Sequence, residues 1–164
     1  MIREFKGKKP VVSDRAFIDD SAVIMGNVIV EENASIWPHA VVRADDAKII
    51  IKEGAAILDK AFIEAPKEVI IGKGSIISHG AIIHGSVIEE NVLVGIGAIV
   101  LEVNVGKNSI VAAGAVVTRD VEEGSMVAGV PAKKIRDASK EEIEKTKAMA
   151  KELLEKAKYL RKEY

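Results

Sequence analysis

Large aliphatic residues recur at six-residue intervals between residues 11 and 130, and a small residue follows most of them four positions later. In this pattern each unit is a short strand and a tight turn, with the aliphatic side chain pointing inward and the small residue at a corner. Three units then make one triangular coil, and successive coils stack as parallel sheets about 4.8 Å apart. The inward positions, coil by coil, are Ile18, Ile24, Val30, Ile36 and Val42, then Ile51, Ile57 and Ile63, then Ile71, Ile77 and Ile83, then Ile88, Val94 and Val100, and finally Val105, Val111 and Val117.

A fold of alternating strands and helices is the alternative for so apolar a chain, but it needs crossover helices. No amphipathic helix of that length is found between residues 11 and 130. The composition also suits a narrow core, because 48% of the residues are hydrophobic while only 4% are aromatic. We therefore predict an all-β solenoid, a parallel β-helix of hexapeptide repeats, over residues 1–136. Residues 129–133 should form its exit turn, with Pro131 ending the last strand.

The last part of the chain has a helical pattern instead. Ser139 and Glu142 form a capping-box signature, and aliphatic residues then recur at helical spacing. Lysine and arginine crowd the end of the segment, which suits the helix dipole. We predict one amphipathic helix over residues 139–162, within a C-terminal unit of residues 137–164 that packs on the solenoid.

Charge and composition exclude several classes of partner. The net charge is −1 at pH 7, so neither nucleic acid nor a membrane surface is expected. Cysteine is absent, which excludes disulfides and cysteine-ligated metals and fits the cytoplasm. No apolar run approaches the ~18 residues of a membrane span, and the N-terminal residues give no sign of a signal peptide. The lack of glutamine and the 30% of charged residues favour a heat-adapted source.

The repeat brings ionisable residues into one column. The residue after the third inward aliphatic of each coil gives, in order, Arg43, Glu64, His84 and Leu101. Glu64 and His84 are then one coil apart, roughly 4.8 Å between backbones. Both side chains could reach one metal ion at ~2.0–2.2 Å. A solvated outer face explains the same charges, so the repeat alone leaves both interpretations open.

Several motifs resemble those of the γ-class carbonic anhydrases. The segment of residues 36–45, which ends Arg43-Ala-Asp45, is similar to the Arg-x-Asp segment of that family. His79 and His84 match the family's His-x-x-x-x-His pair without a gap. The resemblance runs from about residue 10 to about residue 160, although its Gly-Val-Pro-Ala-Lys tail motif is shared with hexapeptide acyltransferases.

This resemblance implies a left-handed β-helix and a homotrimer that binds one metal ion between each two protomers. The implied ligands are Glu64 and His84 of one protomer and His79 of the next, and the other implied catalytic residues are Arg43, Asp45 and Asp59. Zn²⁺ is the expected metal, and Fe²⁺ or Co²⁺ also suits a set of two histidines and one carboxylate. The implied reaction is the reversible hydration of CO₂ to bicarbonate by a metal-bound hydroxide.

Two residues depart from the family pattern. Glu64 replaces a third histidine, and its negative charge should weaken hydroxide formation at neutral pH. Leu58 replaces the glutamine expected to orient the hydroxide. Two other functions therefore stay open: a non-catalytic metal-binding or structural homologue, and a coenzyme A-dependent acyltransferase with His79 or His84 as general base. The departures favour the non-catalytic homologue over the acyltransferase.

Overall fold

A computed structural model describes residues 1–162 as a left-handed parallel β-solenoid of about 7 turns that is followed by a helix. The strands are β1 (Ile2–Arg3), β2 (Val11–Val12), β3 (Phe17–Ile18), β4 (Val23–Val30), β5 (Ser35–Ile36), β6 (Val41–Ile51), β7 (Ala56–Ile57), β8 (Phe62–Glu64), β9 (Val69–Ile71), β10 (Ile76–Ile77), β11 (Ile82–His84), β12 (Val87–Ile88), β13 (Leu93–Val94), β14 (Ile99–Leu101), β15 (Asn104–Val105), β16 (Ile110–Val111), β17 (Val116–Val117), β18 (Ser125–Gly129) and β19 (Ala132–Asp137), and the helix is α1 (Lys140–Lys162). These elements confirm the predicted all-β solenoid with its C-terminal helix. The predicted C-terminal unit ends at residue 164, and residues 163 and 164 lie outside the described part of the chain.

The core is a set of stacked aliphatic columns, as the six-residue period predicts. In one column Ile36, Ile57, Ile77, Val94 and Val111 pair in register through five successive coils. The other predicted inward residues are buried as well, except Ile18 in the first coil, which is half-buried. Strand β6 is long enough to bend around a corner and pairs with both β8 and β9.

The corners need backbone conformations that few residues adopt. One corner column has positive φ in six successive coils, where it contains only Asn and Gly: Asn33, Gly54, Gly74, Asn91, Asn108 and Gly124. At Gly54 (φ +68°) a Cβ would meet nothing within 4 Å. Gly95 differs, since a Cβ there would lie 2.5 Å from the backbone nitrogen of Ala113 in the next coil.

We expect Gly95→Ala to lower the free energy of unfolding by about 2 kcal/mol, because the clash is with backbone that cannot move aside. Gly54→Asn should cost under about 0.5 kcal/mol, since asparagine tolerates the left-handed region and occupies the same column elsewhere. Chemical denaturation of the two variants beside the parent measures both values. Equal losses would mean that the coil spacing adapts to a side chain at residue 95.

The solenoid ends in an element that the sequence did not predict. After the turn at residues 130–131, β19 reverses and pairs antiparallel with β18. Helix α1 then begins with the predicted capping box: the Glu142 backbone NH donates to Ser139 Oγ at 3.1 Å, and the Ser139 NH donates to Glu142 Oε2 at 2.8 Å. Arg136 donates to both Glu142 oxygens, and this pair is the main cause that lowers the pKa of Glu142 to about 2.

Helix α1 covers one of the three faces of its own solenoid. It contacts β3, β5 and β7. The apolar layer between them, here called the helix layer, consists of Ala56, Leu58, Ile76, Trp37, Leu93, Met149, Ala150 and Leu153. None of the helical segments described for residues 1–162 has the length and hydropathy that a membrane crossing needs.

A second face, here called the open face, is built from β8, β11, β14, β17 and the first parts of β4 and β6. Its outward side chains form a ladder of apolar residues in register: Val23, Val41, Phe62, Ile82, Ile99 and Val116. All six are half-buried rather than covered. The protomer therefore carries an apolar stripe along the whole open face.

Candidate functional site

At one end of the open face, the predicted column of ionisable residues is present. Arg43, Glu64 and His84 pair in register on β6, β8 and β11. Glu64 Oε2 lies 3.3 Å from His84 Nδ1, and Arg43 Nη2 donates to Glu64 Oε1. Arg43 Nε lies 3.3 Å from Asp45 Oδ2. We call these four residues the arginine edge.

The other two predicted site residues lie at the opposite end of the same face. His79 and Asp59 occupy the corner that precedes the open face, in adjacent coils, with His79 Nδ1 3.0 Å from Asp59 Oδ2. We call them the corner pair. The two side chains are 54% and 40% exposed, so the His79 ring can be approached from outside the protomer.

One protomer cannot bring these two groups together. His79 and His84 are five residues apart across the face, which corresponds to up to about 16 Å at ~3.3 Å per residue. Accordingly, no three His, Asp or Glu side chains within residues 1–162 are grouped so that they could hold a metal ion. A site that used both the arginine edge and the corner pair would therefore need two protomers.

Two polar atoms of the arginine edge have no hydrogen-bond partner among residues 1–162. Arg43 Nε and Asp45 Oδ1 are buried side-chain atoms for which the described residues supply no hydrogen bond. Buried polar atoms are normally satisfied. These two atoms point to a further donor and acceptor from outside the protomer or from water.

The donors at the arginine edge suit a metal ion. Imidazole nitrogen and carboxylate oxygen are ligands for Zn²⁺, Fe²⁺ and Co²⁺. Two ligand atoms of a tetrahedral ion with bonds of ~2.0–2.1 Å lie about 3.3–3.4 Å apart. The observed 3.3 Å between Glu64 Oε2 and His84 Nδ1 fits that spacing.

Leu58, where the family resemblance implies a glutamine, is not at the surface of the site. Its side chain is only 6% exposed and belongs to the helix layer. It stacks above Trp37, in register with it one coil away. In this chain the residue therefore stabilises the contact between solenoid and helix.

Two exposed aliphatic residues adjoin the histidines, one beside the arginine edge and one beside the corner pair. Leu101 pairs with His84 in the next coil and is 36% exposed. Ile96 lies one coil beyond His79, whose carbonyl accepts from the Gly97 NH, and is 59% exposed. Leu101 follows His84 in the column of residues predicted from the sequence. Counting one coil onward from His79 in the same way would have predicted Ile96.

Comparison with known proteins shows relatives along nearly the whole chain. The bacterial transferase hexapeptide family (six repeats) matches residues 9–44. A carbonic anhydrase of Geobacillus kaustophilus is 38% identical over 97% of this chain and 90% of its own length. The carnitine operon protein CaiE of Escherichia coli is 38% identical over 60% of this chain and 51% of its own length.

Solved structures give the same fold under different names. A hexapeptide transferase family protein from Anaplasma phagocytophilum is 34% identical, with a TM-score of 0.93 over 96% of both chains. A putative acetyltransferase from Bacillus cereus is 28% identical, with a TM-score of 0.98 over 100% of this chain and 98% of its own.

Proposed function

Since this chain belongs to the γ-class carbonic anhydrase-like family of hexapeptide-repeat proteins, we propose that it hydrates CO₂ reversibly to bicarbonate at metal sites between the protomers of a homotrimer. One observation carries the proposal. The arginine edge and the corner pair lie at opposite ends of a single apolar face, so each protomer contributes two unlike halves of a site.

A closed ring joins such unlike halves. In a threefold ring every interface is heterologous, so the arginine edge of one protomer meets the corner pair of its neighbour three times. The apolar ladder of the open face then becomes buried around the axis, which accounts for a stripe that a lone protomer would expose to water. The interface would also supply partners for Arg43 Nε and Asp45 Oδ1.

In each interface the metal would be held by Glu64 and His84 of one protomer and by His79 of the partner subunit. Zn²⁺ is the metal we propose, and Fe²⁺ or Co²⁺ suits the same donors. When bound, a divalent ion supplies the Lewis acidity that makes a water molecule nucleophilic near neutral pH.

Neighbouring charged residues would orient these metal ligands and balance their charge. Asp59 faces Nδ1 of His79 at 3.0 Å, so it would fix the ring and leave Nε2 for the ion. Glu64 adds a negative charge compared with a third histidine, and Arg43 offsets part of it by donating to Glu64 Oε1. Asp45 holds Arg43 from its other side.

Protein purified without added metal is expected to contain about one Zn²⁺, Fe²⁺ or Co²⁺ ion per protomer and to accelerate CO₂ hydration. His84→Ala should lose the metal and the activity together, because a ligand is removed. His39→Asn is the matched control: His39 has φ 60°, which asparagine tolerates, and lies outside both halves of the site. Metal analysis and a stopped-flow hydration assay measure both properties.

The same experiment separates the competing functions. The transferase names of the two structural relatives favour an acyltransferase, in which His79 or His84 would act as general base. A metal-free parent that binds coenzyme A would support that function and contradict ours. A parent that binds the metal but leaves CO₂ hydration at the uncatalysed rate would be a non-catalytic homologue.

A further inference from the structure

Along the solenoid axis, both the corner pair and the arginine edge change from polar to apolar neighbours at the histidine. On the side of the preceding coil each histidine has a carboxylate, Asp59 beside His79 and Glu64 beside His84. On the side of the following coil each has an exposed aliphatic residue, Ile96 beside His79 and Leu101 beside His84. The same order thus occurs at both ends of the open face.

The aliphatic residues occupy positions where the protomer gives them little to pack on. Ile96 stands at a corner and is 59% exposed, while Leu101 at the strand end is 36% exposed. One coil further along, the same two columns carry the smaller and exposed residues Ala113 and Thr118. In these two columns the large exposed aliphatic side chains are therefore confined to the level directly beyond the histidines.

We propose that Leu101 of one protomer and Ile96 of the partner subunit form an apolar wall that binds the uncharged substrate beside the metal. This inference rests on the proposed function, because the two residues meet only in the assembled trimer. One coil is about 4.8 Å, so a molecule of a few atoms next to an ion at the histidine level would contact both side chains.

The wall would favour small uncharged molecules over anions. A small apolar molecule such as CO₂ gains from aliphatic contacts, whereas an anion is not stabilised there. The charged product is thus not held by the wall, which favours its release.

Steady-state hydration kinetics of Leu101→Ser and Ile96→Ser test the wall. We expect the KM for CO₂ to rise about tenfold in each variant, with the metal content and the trimer mass unchanged. Ile135→Ser is the matched control, because Ile135 is also 59% exposed but lies on β19 beyond the last coil. An unchanged KM in both site variants would overturn the inference.

Xenon provides a readout that needs no activity. Crystals of the parent trimer pressurised with xenon should show an atom between Leu101 and the partner subunit's Ile96, and this atom should be absent from Leu101→Ser. If the two side chains instead pack directly on each other without xenon between them, the wall does not exist. That result leaves the proposed metal site intact, whereas a parent without metal would defeat the proposed function first.

Discussion

Mixing His79→Ala protomers with His84→Ala protomers is expected to restore about one quarter of the wild-type metal sites, although neither variant alone binds metal. In a ring of three, an intact interface needs His84 from one protomer and His79 from the next. Every trimer that contains both variants has one such interface. Random assembly at equal concentrations makes about three quarters of the trimers mixed, so about one site in four is intact.

The measurement is metal content per protomer after joint refolding, together with the CO₂ hydration rate. A double variant, His79→Ala with His84→Ala, provides the control, because its mixture with either single variant contains no intact interface. Both of those mixtures should stay free of metal. If the two single variants do not complement each other, the halves of the site do not meet between protomers, and the assembly proposed above is wrong.

The neighbourhood of Glu64 and His84 could be predicted from the sequence because the repeat has a regular period. Each coil contains three aliphatic positions, so counting along the chain places residues 43, 64 and 84 in one column even where the spacing lengthens between Val42 and Ile51. The register is fixed by burial, since a shift by one residue would turn the aliphatic side chains outward. The capping box at Ser139 could be predicted for a similarly local reason.

Other features depend on contacts that no local pattern encodes. Strand β19 has the sequence Ala-Lys-Lys-Ile-Arg-Asp, which lacks an apolar alternation, and it forms because β18 offers a free edge. The ion pair between Arg43 and Glu64 depends on side-chain directions rather than on register. The sequence also does not indicate which face of the solenoid the helix covers. That face determines the surroundings of Leu58, because Leu58 lies beneath the helix.

Leu58→Gln is expected to destabilise the protein by about 3 kcal/mol and not to improve CO₂ hydration. A comparison of sequences alone suggests the opposite, because it treats residue 58 as a missing member of the site. The buried leucine instead lies in the helix layer, 6% exposed, among aliphatic and aromatic side chains. A glutamine there would lose apolar contacts and bury an amide without partners.

Leu58→Met is the matched control, because methionine conserves volume and polarity and should cost less than about 1.5 kcal/mol. Thermal or urea unfolding of both variants gives the difference, and metal analysis should find the ion retained in each. If Leu58→Gln were as stable as Leu58→Met and hydrated CO₂ faster than the parent, the amide would have to reach the metal, and α1 would have to move away from β7 in the trimer. If instead the glutamine variant loses stability while its metal content is unchanged, the departure at residue 58 belongs to the packing of the helix, and Glu64 remains as the departure that acts on the chemistry of the site.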